Sequence, residues 1–554
     1  MLGRIIEAMK QEVSPTEVRP RSPQTALAAQ AEVVAQQGES TGNRVYRLQH
    51  NQSPDDATRP LRFIAMGCQG SGNADQLKVA QLMNECCANP ETRPDFVLIL
   101  GDNVYDWGAD TADDINIKKC FDDIYLRPEF IHLHNLPFFF LLGNHDENLQ
   151  NAVRAARRKE RGIPRGMHEV AHSYLQDKKF DADTKTFIYS RNVLQLNDLP
   201  SYNMPRRYYA LIAGEVQIFC MDSNTYLKDY LDWIRQPDTM RVENNQAAWL
   251  ATEFAKGKAA GRKVILAQHH PVYTASKRAY HNDLGIYLDS DDITELQRQF
   301  HIPAAKDTPY NLFLTECLRR QNLEFDTILA AHDHNLSYFN NKNEPDTNYQ
   351  ICQITAGGGG GELQKRVKFS EQKLMGCFLK KTGISIVSHT PHADNIEFTI
   401  HTADHQHSLE FNSDAPEAII HFAEGNPDTH AIKKLFAVVQ DAINEYLLFL
   451  GDKQDDQNGK FLFFTNNLTH GSDGAERAHH LWAYIKQPHP AALTTIVSDI
   501  ERITAWTNPI LEPAKHSLIT LLDNKMKQAY GKTMAELAYS IYSEKSAVDF
   551  AISF

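Results

Sequence analysis

The sequence predicts an α/β protein with an added all-α domain at its C-terminus. Two observations predict this: short apolar runs alternate with helical stretches from Val45 onward, and only helical periodicity continues after Asp414. A chain of 554 residues is too long for one ordinary domain and can bury at least two hydrophobic cores. We therefore expect an N-terminal helix and flexible linker at 1–42, one large domain at 43–412 and a helical domain at 413–554.

Six runs in the large domain have the composition of buried strands. Each run is apolar, β-branched or aromatic and ends in a polar cluster, a pattern typical of strands that helices cover on both sides. The runs are Leu61–Met66, Phe96–Leu100, Phe138–Leu142, Val216–Met221, Val264–Ala267 and Thr327–Ala330. Chemistry in such sheets lies on the loops that leave the carboxyl ends of the strands, so the polar clusters are the place to seek a site. Alternating residues between Lys380 and Phe411 predict antiparallel edge strands.

The two ends of the chain have different patterns. Apolar residues from Leu2 to Val13 recur at helical spacing, and the Pro-, Gln-, Ala- and Ser-rich stretch from Ser14 to about Gly42 reads as a flexible tether. The first helix either packs on its own domain or makes peripheral contact with a membrane or partner. Its polar face is mixed in charge, which favours packing. Toward the C-terminus, apolar residues from Ile432 to Leu450 share one helical face, and Gly451 is a plausible C-cap.

Composition excludes several classes of protein. A formal net charge of -13 opposes binding to nucleic acid, which needs clustered Lys and Arg. The 8 cysteines lack CxxC spacing and indicate a reducing compartment. No window approaches the roughly 18 apolar residues of a membrane span, and charged residues interrupt the N-terminus where a signal peptide needs an apolar core. We expect a cytoplasmic protein, or an effector that is exported without a cleaved signal peptide.

The polar clusters at the strand ends carry the residues of a metal site. Together they hold carboxylate, phenol, amide and imidazole groups, the ligands of hard and borderline metal ions. In chain order they are Gly101–Tyr105 (GDNVY), Gly143–Asp146 (GNHD), Gln268–Pro271 (QHHP) and Ala331–Asn335 (AHDHN). Two cations about 3.5 to 4 Å apart would clamp the attacking and leaving oxygens of a displacement at phosphorus, and one carboxylate can bridge them. Asp102 suits that role, and His332 and His334, one residue apart, could each reach one ion.

The order and spacing of these clusters resemble the calcineurin-like metallophosphoesterases. GDxxY, GNHD, a His before Pro, and AHDHN close to the usual GHxH occur in sequence order, and the tyrosine of GDxxY is similar to the ferric ligand of the purple acid phosphatase branch. Further segments resemble the small tartrate-resistant type, including Asn203–Pro205 and the Met221-Asp222 strand end. The similarity covers roughly Leu61 to Phe411. It implies a four-layer α-β-β-α sandwich with two metal ions (Fe, Zn or Mn).

The resemblance also assigns roles to individual residues. It implies that Asp102 bridges both ions, with Tyr105 and His334 on the first ion. It places Asn144, His269 and His332 on the second ion. His145 resembles the histidine that contacts substrate phosphate and helps protonate the leaving oxygen. His281 may then be read as a second substrate-side histidine.

The first motif departs from the family pattern. Where the family has an Asp after a strand and Gly, this chain has Cys68 within Gly67–Gly70. Three readings stay open: the Cys68 thiolate is itself a ligand and favours Zn over a ferric ion, Cys68 is a spectator that leaves the first site weaker, or the enzyme is degenerate. The other positions of the ligand set are filled, which places degeneracy last.

Two functions follow from these readings. The first is hydrolysis of phosphate monoesters, on a small molecule or a phosphoprotein, by a metal-bound hydroxide. The alternative is a binding or scaffold protein with a weakened metal site. Two further features each allow two interpretations. Gly357–Gly361 is either an anion-binding nest of backbone amides or a flexible loop. The basic run from Arg154 to Arg165 is either a solvated helix face or a contact for a phosphorylated substrate.

Overall fold

The protein is described here by a computed structural model. The model describes residues 23–41, 43–49, 59–147, 166–236, 244–274, 290–301, 310–342, 349–364, 375–405, 408–413 and 518–536, and several positions between 435 and 500.

Two β-sheets form the centre of the large domain. The first has nine strands in the order β13-β11-β12-β10-β9-β8-β7-β1-β5, and the second has seven in the order β16-β15-β14-β2-β3-β4-β6. The strands are β1 Val45–Gln49, β2 Leu61–Met66, β3 Phe96–Ile99, β4 Phe138–Phe140, β5 Val193–Gln195, β6 Tyr202–Asn203, β7 Tyr209–Ala213, β8 Val216–Cys220, β9 Lys263–Ala267, β10 Thr327–Ala330, β11 Leu336–Asn340, β12 Cys352–Ala356, β13 Met375–Leu379, β14 Gly383–His389, β15 Glu397–Thr402 and β16 Ser408–Asn412. All six strands predicted from buried runs are present.

Both faces of the first sheet are buried, as nearly continuous apolarity predicts. Along β9, Ile265 packs into the core that the two sheets share, whereas Val264 and Leu266 point into a second core beneath the helices. Strands β2, β3 and β4 run parallel to one another, and so do β8, β9 and β10. Strands β14, β15 and β16 are antiparallel, which confirms the expectation from alternation between Lys380 and Phe411.

Helices cover the outer faces of the sheets. The helix Ala74–Ala88 contacts β14 of the second sheet, and Gln246–Ala259 contacts β9 of the first. The α-helices are α1 Pro23–Thr41, α2 Ala74–Ala88, α3 Ile115–Cys120, α4 Asp122–Tyr125, α5 Asn144–Glu147, α6 Gly166–Leu175, α7 Tyr226–Arg235, α8 Gln246–Ala259, α9 Ser290–Phe300, α10 Tyr310–Arg320 and α11 Leu518–Tyr530. Helices outside two sheets make the α-β-β-α arrangement that the resemblance implies.

The N-terminal region differs from the prediction. The stretch from Ser14 to Gly42 was expected to be a flexible tether, but Pro23–Thr41 within it is helix α1. This helix packs against α6, and Glu32 accepts hydrogen bonds from His168 Nδ1 at 2.8 Å and from the Ala112 amide at 2.9 Å. The tether interpretation is therefore wrong for this part. The helix predicted from Leu2 to Val13 lies outside the described residues.

The described part of the C-terminal region is helical. Helix α11 buries Leu518, Leu522 and Met526. Leu435 and Phe436, which the periodicity places on one helical face, are helical and belong to the same core cluster as the two sheets. The described C-terminal residues therefore pack against the large domain. The boundary between the two domains at 412 remains a prediction.

None of the helices in the described ranges is long and apolar enough to cross a membrane. The cysteines whose side chains the structure describes form no disulfide: Cys68, Cys86, Cys87, Cys120, Cys220, Cys317 and Cys352.

Candidate metal centre

The predicted donor side chains lie on segments that follow five strands, with Asn144 at the start of helix α5 and the others on loops. They are Cys68 after β2, Asp102 and Tyr105 after β3, Asn144 after β4, His269 after β9, and His332 and His334 after β10. Strands β2, β3 and β4 belong to the second sheet, whereas β9 and β10 belong to the first. The centre therefore lies where the carboxyl ends of strands from both sheets meet, as the sheet rule predicts.

Asp102 is the central residue of this cluster. Its side chain is fully buried, and its backbone has a φ of 58°, in the left-handed region. Oδ1 accepts the His145 amide at 3.0 Å and lies 3.3 Å from His269 Nε2, whereas Oδ2 accepts the Tyr105 hydroxyl at 2.9 Å. Burial acts to raise the pKa of Asp102, but His269 and His145 hold that pKa well below its usual value, so the carboxylate is ionised.

One group of donors lies on the Oδ1 side of Asp102. His269 Nε2 lies 3.1 Å from Asn144 Oδ1, and His332 Nδ1 lies 2.9 Å from the same oxygen. The two ring nitrogens are 3.1 Å apart, and all three side chains are buried. Potential ligand atoms of Asp102, His269 and His332 lie within 4.8 Å of one another. We call Asn144, His269 and His332 the second donor group.

The other group lies on the Oδ2 side. The Tyr105 hydroxyl is 3.1 Å from His334 Nε2, and the two ring centroids are 6.1 Å apart. The Sγ atom of Cys68, a carboxylate oxygen of Asp102 and a ring nitrogen of His334 lie within 4.8 Å of one another, and all three residues are buried. We call Cys68, Tyr105 and His334 the first donor group.

The proton positions show that these groups fit metal ions. A carbonyl oxygen only accepts, so His269 donates from Nδ1 to Leu100 O at 2.8 Å, and His334 donates from Nδ1 to Glu362 O at 2.7 Å. A backbone acceptor on the far nitrogen is the usual support of a histidine ligand, because it leaves the Nε2 lone pair for the metal. With Nδ1 engaged in this way, Nε2 of His269 faces Asn144 Oδ1 and Nε2 of His334 faces the Tyr105 oxygen. Nitrogen and oxygen donors that converge like this can share one positive ion.

His145 lies at the edge of the centre and is half-buried. Its ring stands edge-on to Tyr105 with centroids 4.6 Å apart, and Nδ1 donates to Asp106 O at 2.9 Å. Nε2, on the opposite edge of the ring, therefore remains for a ligand or a proton. Of the predicted site residues, only His281 lies outside the described part of the chain. The basic run from Arg154 to Arg165 lies outside it too.

No role was predicted for Asp146, although it is the last residue of the GNHD cluster. The Asp146 carboxylate accepts the amides of Asn103 at 2.8 Å, Val104 at 3.1 Å and Gly143 at 2.8 Å, which joins the loop of Asp102 to the loop of Asn144. Burial and the nearby charge of Glu169 raise the pKa of Asp146 well above its usual value. Its position in the cluster was the available signal.

Glu169 on α6 carried no signal in the sequence. Its Oε2 accepts the Asn103 side-chain amide at 2.8 Å. Burial raises the pKa of the Glu169 carboxyl to about 7, partly offset by hydrogen bonds from Asn103 and Asp146. The buried carboxyl groups of Asp146 and Glu169 therefore hold the loop that carries Asp102 through hydrogen bonds to Asn103 and Val104.

Three amides of the glycine run Gly357–Gly361 are paired within the protein. The amides of Gly357, Gly359 and Gly361 donate to backbone carbonyls of Asn335, Gly67 and Cys68, at 3.0, 3.1 and 2.9 Å. These amides are therefore not available to an anion. The neighbouring Asp333 is buried and contacts the Thr274 hydroxyl, and His270 Nδ1 lies 2.8 Å from Ser223 Oγ, so both hold the loops around the centre.

Comparison with known proteins places this centre in a family. The sequence model of the calcineurin-like phosphoesterases matches residues 61–336. Tartrate-resistant acid phosphatase type 5 of Sus scrofa is 25% identical over 303 residues, 51% of this chain and 66% of that protein. The Homo sapiens protein of the same name is 23% identical over 309 residues, 52% of this chain and 71% of that protein. Among solved structures, GAP50, the anchor in the inner membrane complex of Plasmodium, has a TM-score of 0.38 and 15% identity, covering 64% of this chain and 89% of that chain.

Residues 61–336, which the family model matches, include all the described donor loops, from Cys68 to His334. The chain spans about two thirds of the length of the mammalian phosphatases that it matches. From residue 61 to residue 336, the chain is a calcineurin-like phosphoesterase domain of the branch represented by the tartrate-resistant and purple acid phosphatases.

Proposed function

We propose that the protein is a metal-dependent phosphoesterase that hydrolyses phosphate monoesters at a two-metal centre. The observation that carries this proposal is the shared carboxylate of Asp102, which belongs to both clusters of potential ligands. Its two oxygens face different donor groups, Oδ1 toward His269 and Oδ2 toward Tyr105. One carboxylate between two groups of donors is the arrangement that holds a pair of ions a few ångströms apart.

The two donor groups would hold one ion each. The first ion would take Asp102 with Cys68, Tyr105 and His334, and the second would take Asp102 with the second donor group. When bound, such ions lower the pKa of water and neutralise phosphate oxygens. The buried, ionised carboxylate of Asp102 offsets part of their positive charge.

His145 is the group that would act on the substrate. Its backbone amide is fixed to Asp102 Oδ1, and its ring is fixed by the hydrogen bond from Nδ1 to Asp106 O. The remaining Nε2 could donate to a phosphate oxygen, or deliver a proton to the departing alkoxide so that the alcohol leaves neutral. Tyr105 packs against the ring and limits its rotation.

The relatives support a monoester as substrate, because those that match are named acid phosphatases. A phosphorylated small molecule and a phosphoprotein share the same terminal phosphate, so both fit this chemistry. A second candidate function, binding without catalysis, is favoured by one observation, the cysteine in the first donor group. Activity separates the two.

A matched pair of histidine variants tests the proposal. We expect the full chain, supplied with Zn, Mn or Fe, to hydrolyse phenyl phosphate, and His332→Ala to lose more than about 100-fold in kcat/KM, beyond the usual cost of losing an outer partner of a metal ligand. His132→Ala removes an exposed histidine on the surface and should match the wild type. A wild-type chain that hydrolyses no monoester with any of these metals would favour the binding protein.

A further inference from the structure

The sulfur atom in the first donor group is the feature that family membership does not explain. Cys68 is fully buried, and its Sγ lies within 4.8 Å of ligand atoms of both Asp102 and His334. The rest of the described centre offers only oxygen and nitrogen donors. What Cys68 does therefore decides the chemistry of the first ion.

The backbone holds Cys68 in this position from both sides. Its φ of 57° lies in the left-handed region, which costs a non-glycine residue energy and needs support from its surroundings. The Cys68 amide donates to Gly101 O at 2.9 Å, and the Cys68 carbonyl accepts the Gly361 amide at 2.9 Å. The preceding Gly67 carbonyl accepts the Gly359 amide at 3.1 Å. These bonds fix the thiol beside the donors.

The glycine run packs so closely against Gly67 and His334 that the loop of Cys68 has no room to move away from the centre. A Cβ atom on Gly361 would lie 2.7 Å from Cε1 and Nδ1 of His334, and one on Gly359 would lie 2.4 Å from Gly67 O. The same segment therefore positions Cys68 through its carbonyl and His334 through its ring. Both donors are held as one unit.

A second cysteine near the centre provides a contrast. Cys120 Sγ donates to Gly70 O at 2.9 Å, two residues along the chain from Cys68. Burial raises the pKa of the Cys120 thiol to about 12. Cys120 therefore stays a protonated thiol with a backbone partner, whereas the described neighbours of Cys68 include a carboxylate and an imidazole of the centre.

We propose that Cys68 binds the first ion as a thiolate, and that this sulfur makes the first site select Zn²⁺ over ferric iron. Coordination exchanges the thiol proton, which leaves to solvent, for the metal ion. A soft thiolate suits Zn²⁺, and zinc accepts mixed ligands of sulfur, nitrogen and oxygen. Ferric iron is hard and loses a carboxylate at this position. The inference rests on the proposed two-metal function and specifies its first ion.

Cobalt spectroscopy tests the inference independently of activity. In the full chain loaded with Co²⁺, a thiolate ligand gives a near-ultraviolet sulfur-to-cobalt charge-transfer band. We expect this band in the wild type and in the control Cys120→Ser, and its loss in Cys68→Ser together with a first-site affinity at least about 10-fold weaker. Cys68→Asp should bind two ions without the band. In competition between zinc and iron, it should take up more iron than the wild type does.

The outcomes separate this inference from the proposed function. A wild-type chain that binds two cobalt ions without the band, or a band that survives in Cys68→Ser, overturns the thiolate ligand and leaves hydrolysis standing. A wild-type chain that shows the band but hydrolyses no phosphate monoester overturns the hydrolysis and keeps the ligand. Failure to bind cobalt at all contradicts both.

Discussion

The two donor groups of the centre are built in different ways. The second donor group contains only oxygen and nitrogen donors. Asn144 lies four residues after the end of β4, and His269 and His332 each lie two residues after the ends of β9 and β10. The first donor group contains sulfur and depends on the glycine run that returns from β12 to hold Cys68 and His334.

The second donor group keeps the ligand types that the family resemblance implies, whereas the first donor group has Cys68 in place of a carboxylate. Members of both groups follow strand ends, and Cys68 lies as close to the end of β2 as His269 does to the end of β9. The first group has the added support of the glycine run, and its metal preference can change through one side chain, Cys68, while the fold is kept. Asp102 lies between the two groups, with Oδ1 facing His269 and Oδ2 facing Tyr105.

Substitution of the shared carboxylate should have the largest effect. Asp102→Asn keeps the shape but removes the negative charge, so we expect both ions to bind more weakly and kcat/KM to fall by well over about 100-fold. Calorimetric titration with zinc and a phosphatase assay measure the two effects. If only one ion were lost, Asp102 would not be shared.

A change to the glycine clamp should affect the first group alone. In Gly361→Ala, the new methyl group would contact the His334 ring at 2.7 Å, so the ring must shift. We expect first-site affinity to fall about 10- to 100-fold, as when an outer partner of a ligand is lost. The second ion is the internal control in the same titration. Equal weakening of both ions would contradict independent positioning of the two groups.

The buried carboxyl pair below the centre should influence stability more than metal choice. Because the folded-state pKa of Glu169 is raised to about 7, the unfolded chain ionises first as pH rises. Below its ordinary pKa of about 4.3, Glu169 has no effect on the free energy of unfolding. Between that pH and about 7 the free energy of unfolding falls as pH rises, and above about pH 7 the protein bears the full cost of burying the ionised carboxylate.

Glu169→Gln removes this penalty, and its amide oxygen can still accept from Asn103. We expect its Tm to exceed the wild-type value by on the order of 2–4 °C at pH 8, with a smaller gain at pH 5. Glu91→Gln on the surface is the matched control. Parallel melting curves of wild type and Glu169→Gln across this pH range would show that the buried carboxyl carries no such penalty.

The strands, and the convergence of the polar side chains that follow them, were predictable because each buried run is followed directly by its polar residues. Leu61–Met66 and Thr327–Ala330 have the predicted bounds. Helix α1 was mistaken for a tether because its buried face consists largely of small residues such as Ala28, Ala31 and Ala35, which lack a strong apolar signal. Small side chains can still pack closely against another helix.

Two supports of the centre could not be inferred from local sequence. Glu169 reaches Asn103 only through tertiary packing, since the two are 66 residues apart and no motif connects them. The glycine run has several plausible local conformations, and only its hydrogen bonds to Gly67 and Cys68 decide among them. A residue that supports the centre through its backbone cannot be recognised from the chemistry of its side chain.

Anomalous X-ray scattering from crystals of the zinc-loaded full chain would show directly whether two ions share Asp102. We expect two zinc peaks about 3.5 to 4 Å apart on either side of the Asp102 carboxylate, one beside Cys68 and His334 and the other beside His269 and His332. A single peak, or peaks away from Asp102, would contradict this expectation.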